Sequence, residues 1–261
     1  MNARSTRPRV VVLQHADCEP LGTLQPIFDD AFDVVALRLV GDPVAYHHAV
    51  EALVKSRAFD GLVALGGPMS VCERERVEGL DDSLRLLKLA VHADVPILGI
   101  CLGAQLLALT LGAQVRPGAI GGRRKEIGWL PVELTERGRV DPAFHGFGER
   151  EPVFHWHGDT YDLPQGGRLL ASSSGYPNQA FRWGRWVYGI QFHLEVTPAL
   201  VLEWTHRYAD ELAALDYVDA PAMVSRASVH ADGLREKARV LGGHFVECVR
   251  ESVRQRGEPL R

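Results

Sequence analysis

The first hundred residues alternate between short apolar runs and longer segments in which apolar side chains recur at helical spacing. The short runs are aliphatic or β-branched and are bounded by Gly, Asp or Pro, which predicts buried strands. They occupy residues 9–14, 32–38, 61–65 and 96–100. Between them, helices are predicted from Pro43 to about Arg57 and after a cap formed by residues 81–83.

This alternation determines the predicted fold class. A chain that alternates strands with helices forms right-handed crossovers and a mostly parallel sheet, covered by helices on both faces. The sequence therefore predicts an α/β fold of this kind. Functional groups collect beyond the carboxyl ends of parallel strands, so we expect the chemistry of the protein at that edge of the sheet.

The pattern changes after Gly112, where short and often aromatic segments are separated by Gly and Pro. These segments predict antiparallel strands that are added to the sheet or lie beside it. They occupy residues 128–134, 152–156, 168–171, 179–183 and 187–192. Helical spacing returns from Pro198 to about residue 215 and again over about 227–253, with a linker at 216–225.

Composition and charge exclude several classes of protein. The chain has 261 residues, of which 46% are hydrophobic and 24% charged, enough to bury a large core. Its net charge of −4 argues against a nucleic-acid partner. The N-terminal apolar run is too short for a signal peptide or a membrane span, so we expect a cytoplasmic protein with no membrane partner. The four scattered cysteines predict neither a disulfide framework nor a zinc site.

One cysteine nevertheless lies in a distinctive setting. Residues 95–109 read VPILGICLGAQLLAL, so that the segment GICLG joins a predicted strand to a predicted helix. This matches the nucleophile elbow, a tight turn between glycines that presents one reactive side chain. At the first turn of a helix, Cys101 would be favoured as a thiolate by the helix dipole. The alternative is a small buried apolar residue, and the elbow alone leaves the two even.

A second motif changes that balance. Residues 188–197 read YGIQFHLEVT, and a strand there would place His193 and Glu195 on the same face. His193 could serve as the general base and later the general acid for a thiol, while Glu195 fixes its tautomer. The alternative is a surface ion pair at the end of a strand.

Together, LGICLGAQLLA and GIQFHLEVTP closely resemble the class I glutamine amidotransferases, in particular stand-alone members related to the glutaminase domain of GMP synthase. The resemblance covers about residues 10–205 and implies a flavodoxin-like sheet with a Cys-His-Glu triad. Cys101 would be the nucleophile, His193 the acid and base, and Glu195 its orienting partner. One departure is Leu194, where the family usually has a proline that would stiffen the end of the strand.

The resemblance also divides the chain. It implies an amidotransferase domain over residues 9–205, after an N-terminal tail at 1–8. Residues 206–261 would form a C-terminal helical extension packed on the same domain, because they are too few for a second catalytic domain of usual size. A cap or a role in a homo-oligomer is the expectation for this extension.

Further site residues follow from the same resemblance. The backbone N–H groups of Gly67 and Leu102 would form the oxyanion hole, since fixed amide dipoles stabilise a tetrahedral oxyanion. Gln105 would help to hold the substrate glutamine, and the segment containing Asn178 and Phe181 would hold its α-amino and α-carboxylate groups. A plain Gly-Pro loop and a polar residue on a helix surface are the alternatives for Gly67 and Gln105.

The segment FHWHGD offers a different possibility. His155, His157 and Asp159 alternate and could present metal ligands on one face of a strand. Family members carry a similar HGD segment without a metal, so a structural or substrate-facing role is expected, with no metal.

The implied reaction needs no cofactor. Cys101 would attack the carboxamide carbonyl, release ammonia, and leave a γ-glutamyl thioester for water to hydrolyse. The chain lacks the phosphate-binding pattern G-x-x-x-x-G-K-[ST], so a synthase subunit would have to receive the ammonia. Two alternatives stay open: a self-sufficient hydrolase or peptidase acting on a small γ-glutamyl compound, and a non-catalytic binding protein on the same fold.

Overall fold

The centre of the molecule is a mixed sheet of nine strands, seen in a computed structural model that describes residues 7–257. The strands of the protein are β1 (Arg9–Gln14), β2 (Asp33–Arg38), β3 (Gly61–Ala64), β4 (Ile97–Ile100), β5 (Val115–Pro117), β6 (Glu126–Leu134), β7 (Arg150–His157), β8 (Asp159–Tyr161), β9 (Arg168–Ser172), β10 (Ala180–Trp183) and β11 (Val187–Ile190). Nine of them pair in the order β2-β1-β3-β4-β11-β10-β9-β6-β7, while β5 and β8 form a separate ladder.

Eight α-helices connect or flank these strands in the described part of the chain. They are α1 (Gln25–Ala31), α2 (Pro43–Ser56), α3 (Leu80–His92), α4 (Leu102–Thr110), α5 (Glu136–Arg139), α6 (Pro198–Arg207), α7 (Ala209–Ala213) and α8 (Ala220–Gln255). The helix α1 was not predicted from the sequence. The predicted tail at 1–8 lies mostly outside the described residues.

One half of the sheet is parallel and the other antiparallel. The strands β2, β1, β3, β4 and β11 all run in the same direction, in the order that defines a flavodoxin-like sheet. The antiparallel prediction for β11 is confirmed on one side only: the hairpin at Gly184 pairs β11 antiparallel with β10 and also places it parallel to β4. The strands β10, β9, β6 and β7 add the predicted antiparallel half.

Alternation along the central strands produces two cores. In β1, Val10 and Val12 face one hydrophobic cluster, whereas Val11 and Leu13 face the other. The helices α2, α3 and α4 cover the second cluster, and α1, α6 and α8 cover the first. Helices on both faces of the sheet therefore confirm the predicted α/β class.

Two helix boundaries differ from the predictions for local physical reasons. The helix α3 begins at Leu80 after Gly79, which has a φ of 88°. Ser83 does not cap it, because the Ser83 hydroxyl is buried and bonds the Tyr46 hydroxyl at 2.7 Å. The helix predicted over 198–215 breaks at Tyr208 into α6 and α7.

The C-terminal helix is longer than predicted. The side chain of Asp219 accepts a hydrogen bond from the N–H of Ala222 at 2.9 Å, and Pro221 lies in the first turn. These features start α8 inside the predicted linker at 216–225. Its 36 residues then pack on the sheet, with the Phe245 ring 5.6 Å from that of Phe28. No helix within residues 7–257 is long and apolar enough to cross a membrane.

The Phe245 contact provides a test of whether α8 and the main domain form one folding unit. Phe245 is buried against Phe28 and Phe32, so Phe245→Ala should lower the free energy of unfolding by about 3–5 kcal/mol. We expect urea denaturation to show a single transition that moves to lower urea. Val229→Ala on the same helix is the control, since Val229 is 77% exposed. Two separate transitions would contradict a common folding unit.

Candidate active site

Loops from four neighbouring strands meet at one edge of the sheet. The carboxyl ends of β1, β3, β4 and β11 lead into residues 15–20, 66–70, 101 and 191–195. These loops contribute to a cavity of about 220 Å³, as the rule for parallel sheets predicts. Its lining includes Gly67, Cys101, Leu102, Gln105 and His193.

The turn after β4 has the geometry of the elbow. Cys101 has a φ of 52° and a ψ of −110°, a conformation that side chains rarely adopt, and it immediately precedes α4. A methyl group built on Gly103 would lie 1.9 Å from the carbonyl oxygen of Ala64, so only glycine allows α4 to approach β3 this closely. The Cys101 N–H donates to Ile190 O at 2.8 Å and ties the turn to β11.

Burial changes the expected ionisation of this cysteine. Cys101 is 6% exposed, and burial raises the pKa of its thiol, although the neighbouring His193 opposes that shift. Burial thus opposes the thiolate that the helix dipole is expected to favour, whereas the charge of His193 supports it.

His193 and Glu195 form a buried pair beside Cys101. The Nδ1 atom of His193 lies 2.6 Å from Glu195 Oε1, and both side chains are almost completely buried. Burial alone would lower the pKa of His193, but the Glu195 carboxylate and the Cys101 sulfur hold it well above 6.5. Because Nδ1 faces Glu195, the other ring nitrogen is left for chemistry in the cavity.

This pair does not lie on a strand as predicted. The strand β11 ends at Ile190, and His193 instead makes an isolated bridge in which its N–H donates to Phe154 O at 2.8 Å. Hydrogen bonds from Thr23 hold this loop at and next to Leu194, which takes the place of the usual proline. Thr23 donates from its N–H to Glu195 O at 2.8 Å and from its hydroxyl to Leu194 O at 3.1 Å.

Gly67, Leu102 and Gln105 all line the cavity that contains Cys101. Within residues 7–257, neither the N–H of Gly67 nor that of Leu102 donates to a protein acceptor. Gln105 is 4% exposed and donates from Nε2 to Gln191 Oε1 at 3.2 Å. It is thus an inward-facing residue of the cavity and not a residue of the helix surface.

Asn178 and Phe181 do not line this cavity. The Asn178 side chain donates to Tyr161 O at 2.8 Å and lines a separate cavity of about 150 Å³. Phe181 is fully buried between Tyr161 and Gly189 in the core. Both residues instead contact Tyr161, through a hydrogen bond from Asn178 and ring packing by Phe181.

Several lining residues were not anticipated from the sequence. Glu19 follows β1, and Glu211 of α7 accepts a hydrogen bond from Trp156 Nε1 at 3.0 Å and pairs with Lys125. The rule that ligands bind beyond strand ends could have indicated Glu19, since β1 neighbours β3. Glu211 carries no such signal, because only tertiary packing brings α7 over the cavity.

The segment 156–159 lines the cavity, in agreement with a substrate-facing role for part of it. Asp159 accepts a hydrogen bond from Ser70 at 2.5 Å and does not join the two histidines. Instead, ligand atoms of Glu126, His155 and His157 lie within 4.8 Å of one another, a spacing that could hold a metal ion. Hydrogen bonds from Ser173 at 2.7 Å and Gln179 at 2.6 Å already satisfy the Glu126 carboxylate without an ion.

The part of the chain that contains both motifs matches a known protein family. A profile described as glutamine amidotransferase class-I matches residues 35–201. A glutamine amidotransferase-like protein of Salmonella typhimurium, YfeJ, is 39% identical over 158 residues, covering 59% of this chain and 64% of that protein. A glutamine-hydrolyzing GMP synthase of Phenylobacterium zucineum is 38% identical over 167 residues, covering 61% of this chain and 30% of the synthase. The chain thus spans less than two thirds of either relative.

Solved structures extend this similarity to the whole fold. A glutamine amidotransferase of Thermotoga maritima superposes with a TM-score of 0.78 at 31% identity. The alignment covers 92% of this chain and 99% of the other. The similarity therefore includes the helices that follow the sheet.

The contact between His193 and Glu195 allows a prediction of how His193 titrates. Because its pKa is higher in the folded protein than the ordinary value of 6.5, protonated His193 stabilises the fold below pH 6.5, and this contribution is lost as the pH rises through the folded pKa. In Glu195→Gln the carboxylate charge is gone, so burial should move the pKa of His193 downward. We expect NMR titration of the imidazole Cε1 proton to show this shift.

Glu203→Gln provides a matched control for that measurement, because Glu203 is exposed on α6 and does not contact His193. The control should leave the His193 titration unchanged. Equal titration of His193 in the unaltered protein and in Glu195→Gln would show that the carboxylate does not set its charge.

Proposed function

The chain belongs to the class I glutamine amidotransferase family, and on that premise we propose that it hydrolyses the side-chain amide of glutamine through a thioester at Cys101. One observation carries this proposal: Cys101 and His193 line a single cavity, and Glu195 lies 2.6 Å behind the His193 ring. A nucleophile, a base and the group that orients the base are thus arranged for acyl transfer.

The first half-reaction forms the thioester. His193 takes the thiol proton of Cys101 as the sulfur attacks the carbonyl carbon, and Glu195 stabilises the imidazolium ion that results. The N–H groups of Gly67 and Leu102 are available to the oxyanion of the tetrahedral intermediate. When the C–N bond breaks, the proton of His193 goes to the nitrogen, and ammonia leaves.

The second half-reaction regenerates the enzyme. His193 then removes a proton from water, which attacks the thioester carbonyl carbon. The C–S bond breaks, the Cys101 sulfur regains a proton, and glutamate is released. Gln105 lines the same cavity and is a candidate contact for the substrate. The proposed steps use side chains, backbone N–H groups and water, so the proposal includes no cofactor.

We propose that a synthase subunit receives the ammonia. The support is that one relative is a glutamine-hydrolyzing GMP synthase, of which this chain matches 30%. In that arrangement the protein acts in the cytoplasm, and its glutaminase rate should rise when the synthase binds. Residues 206–261, proposed as an extension of the same domain, would be free to contact the synthase or a second copy of the chain.

The glutaminase proposal predicts loss of activity in Cys101→Ala. We expect the purified protein to release glutamate from glutamine, and the variant to be at least about 10³-fold slower because no thioester can form. Glutamate formation is followed by an enzyme-coupled assay. Cys72→Ala is the control, since Cys72 is an exposed cysteine outside the cavity, and it should retain full activity. Equal rates in Cys101→Ala and the unaltered protein would exclude Cys101 as the nucleophile.

A second function is favoured by the charge of the cavity. The carboxyl groups of Glu19, Glu73, Asp159 and Glu211 line it, while its one lysine, Lys125, pairs with Glu211. An acidic cavity suits a substrate with an additional ammonium group, such as a γ-glutamyl amine that a self-sufficient hydrolase would cleave.

These two functions predict different substrate preferences. For the amidotransferase, kcat/KM should be higher for glutamine than for γ-glutamyl dipeptides or γ-glutamyl amines. A preference of about tenfold or more for the substituted amides would favour the hydrolase. If neither class is cleaved, even with a synthase present, only a non-catalytic binding protein is consistent with the result.

A further inference from the structure

Glu19 is a buried residue whose carboxyl group takes no part in the proposed hydrolysis of glutamine. Its side chain is 7% exposed, and its remaining exposed surface faces the cavity that contains Cys101. Among residues 7–257, no hydrogen bond or ion pair forms with its carboxylate. An ionised carboxylate is costly to bury without a partner, so a group held this way needs a reason beyond packing.

The backbone around Glu19 fixes its position. The Glu19 N–H donates to Ala16 O at 3.1 Å, and the preceding carbonyl of Cys18 accepts from Trp204 Nε1 at 2.6 Å. The same Trp204 ring packs edge-on against His193, with 4.9 Å between their centroids. One tryptophan therefore links the loop of Glu19 to the proposed base.

Gly66 shows how close Glu19 lies to His193. A methyl group built on Gly66 would be 2.0 Å from Glu19 Oε2 and 3.4 Å from Cε1 of His193. Glu19 and the imidazole of His193 therefore both border Gly66. Both side chains also line the cavity that contains Cys101.

The surroundings of Glu19 favour its protonated form. Burial raises the pKa of Glu19 to about 7, the charge of His193 opposes this shift, and the charge of Glu195 adds to it. Cys18, Cys101 and Tyr208 also face this carboxyl group. A carboxylic acid is therefore available in the cavity near neutral pH.

We propose that Glu19 is a catalytic residue that donates a proton to the nitrogen leaving the substrate, a role that rests on the proposed amide hydrolysis. As the C–N bond breaks, the nitrogen takes the proton of His193 and departs as a neutral amine. The Glu19 carboxylic acid then gives its proton to that amine, which becomes an ammonium ion. The resulting carboxylate regains the proton that the new γ-carboxylic acid of glutamate gives up after the thioester is hydrolysed.

This proton transfer has a consequence for the direction of the reaction. A neutral amine beside the thioester can attack it and re-form the substrate, whereas an ammonium ion has no lone pair with which to do so. Glu19 thus favours release of the nitrogen to solvent as its cation. Transfer of neutral ammonia to a synthase would require Glu19 to stay ionised or to be displaced.

The proposal is tested with two substrates that differ in the leaving group. Glutamine loses a nitrogen that must be protonated, whereas the γ-glutamyl p-nitrophenyl ester loses a phenolate that needs no proton. For Glu19→Gln we expect kcat/KM for glutamine to fall about tenfold, because ammonia that stays neutral can re-attack the thioester, and kcat/KM for the ester to change less than twofold. Ester turnover also shows that the variant is folded.

Two further variants complete the experiment. Glu19→Asp keeps a carboxyl group and should recover part of the glutamine activity. Asp17→Asn makes the same change from carboxyl to amide as Glu19→Gln in the same loop, but Asp17 is exposed and lies outside the cavity, so both substrates should react normally.

Equal losses on both substrates, or no loss on glutamine, would overturn the role of Glu19 while leaving the proposed hydrolysis intact. Failure of the unaltered protein to cleave either substrate would instead overturn the proposed function together with this inference.

Discussion

The close approach of α4 to the end of β3 is the constraint on which the rest of the site depends. It is possible only because Gly103 has no side chain, since a methyl group there would lie 1.9 Å from Ala64 O. This packing requires the sharp turn that gives Cys101 its φ of 52°. It also sets Cys101 beside the loop that follows β3, which contains Gly67. Backbone strain at one residue is thus balanced by the packing of a whole helix.

Low solvent access determines the electrostatics of this site. Cys101 is buried, and burial raises the pKa of its thiol. The Glu195 carboxylate opposes the effect of burial on His193 and holds the pKa of that imidazole well above 6.5. In a medium of low dielectric constant such a pair is costly to form and strongly directional. The hydrogen bonds of Thr23 and Phe154 to the backbone of this loop hold the two side chains in register.

The cavity also differs in character from what the motifs alone suggest. Four carboxyl groups line it beside a single lysine, and Glu19 borders Gly66 together with the His193 ring. Such acidity suits an amine more than a carbonyl group, because only the amine becomes a cation. The electrostatics of the cavity are therefore set partly by residues outside the two sequence motifs.

The sequence by itself determined those features that depend on neighbouring residues. Alternating apolar runs predicted the two-sided sheet, and the segments GICLG and FHLE predicted the family and the residues around Cys101 and His193, because each motif is local in the chain. Only the tertiary structure decided how segments that are far apart in the chain pair and pack. It made β11 parallel to β4, extended α8 through the predicted linker, and moved Asn178 and Phe181 away from the cavity. It also brought Glu19 and Glu211 to Cys101, because long-range packing leaves no local pattern in a sequence.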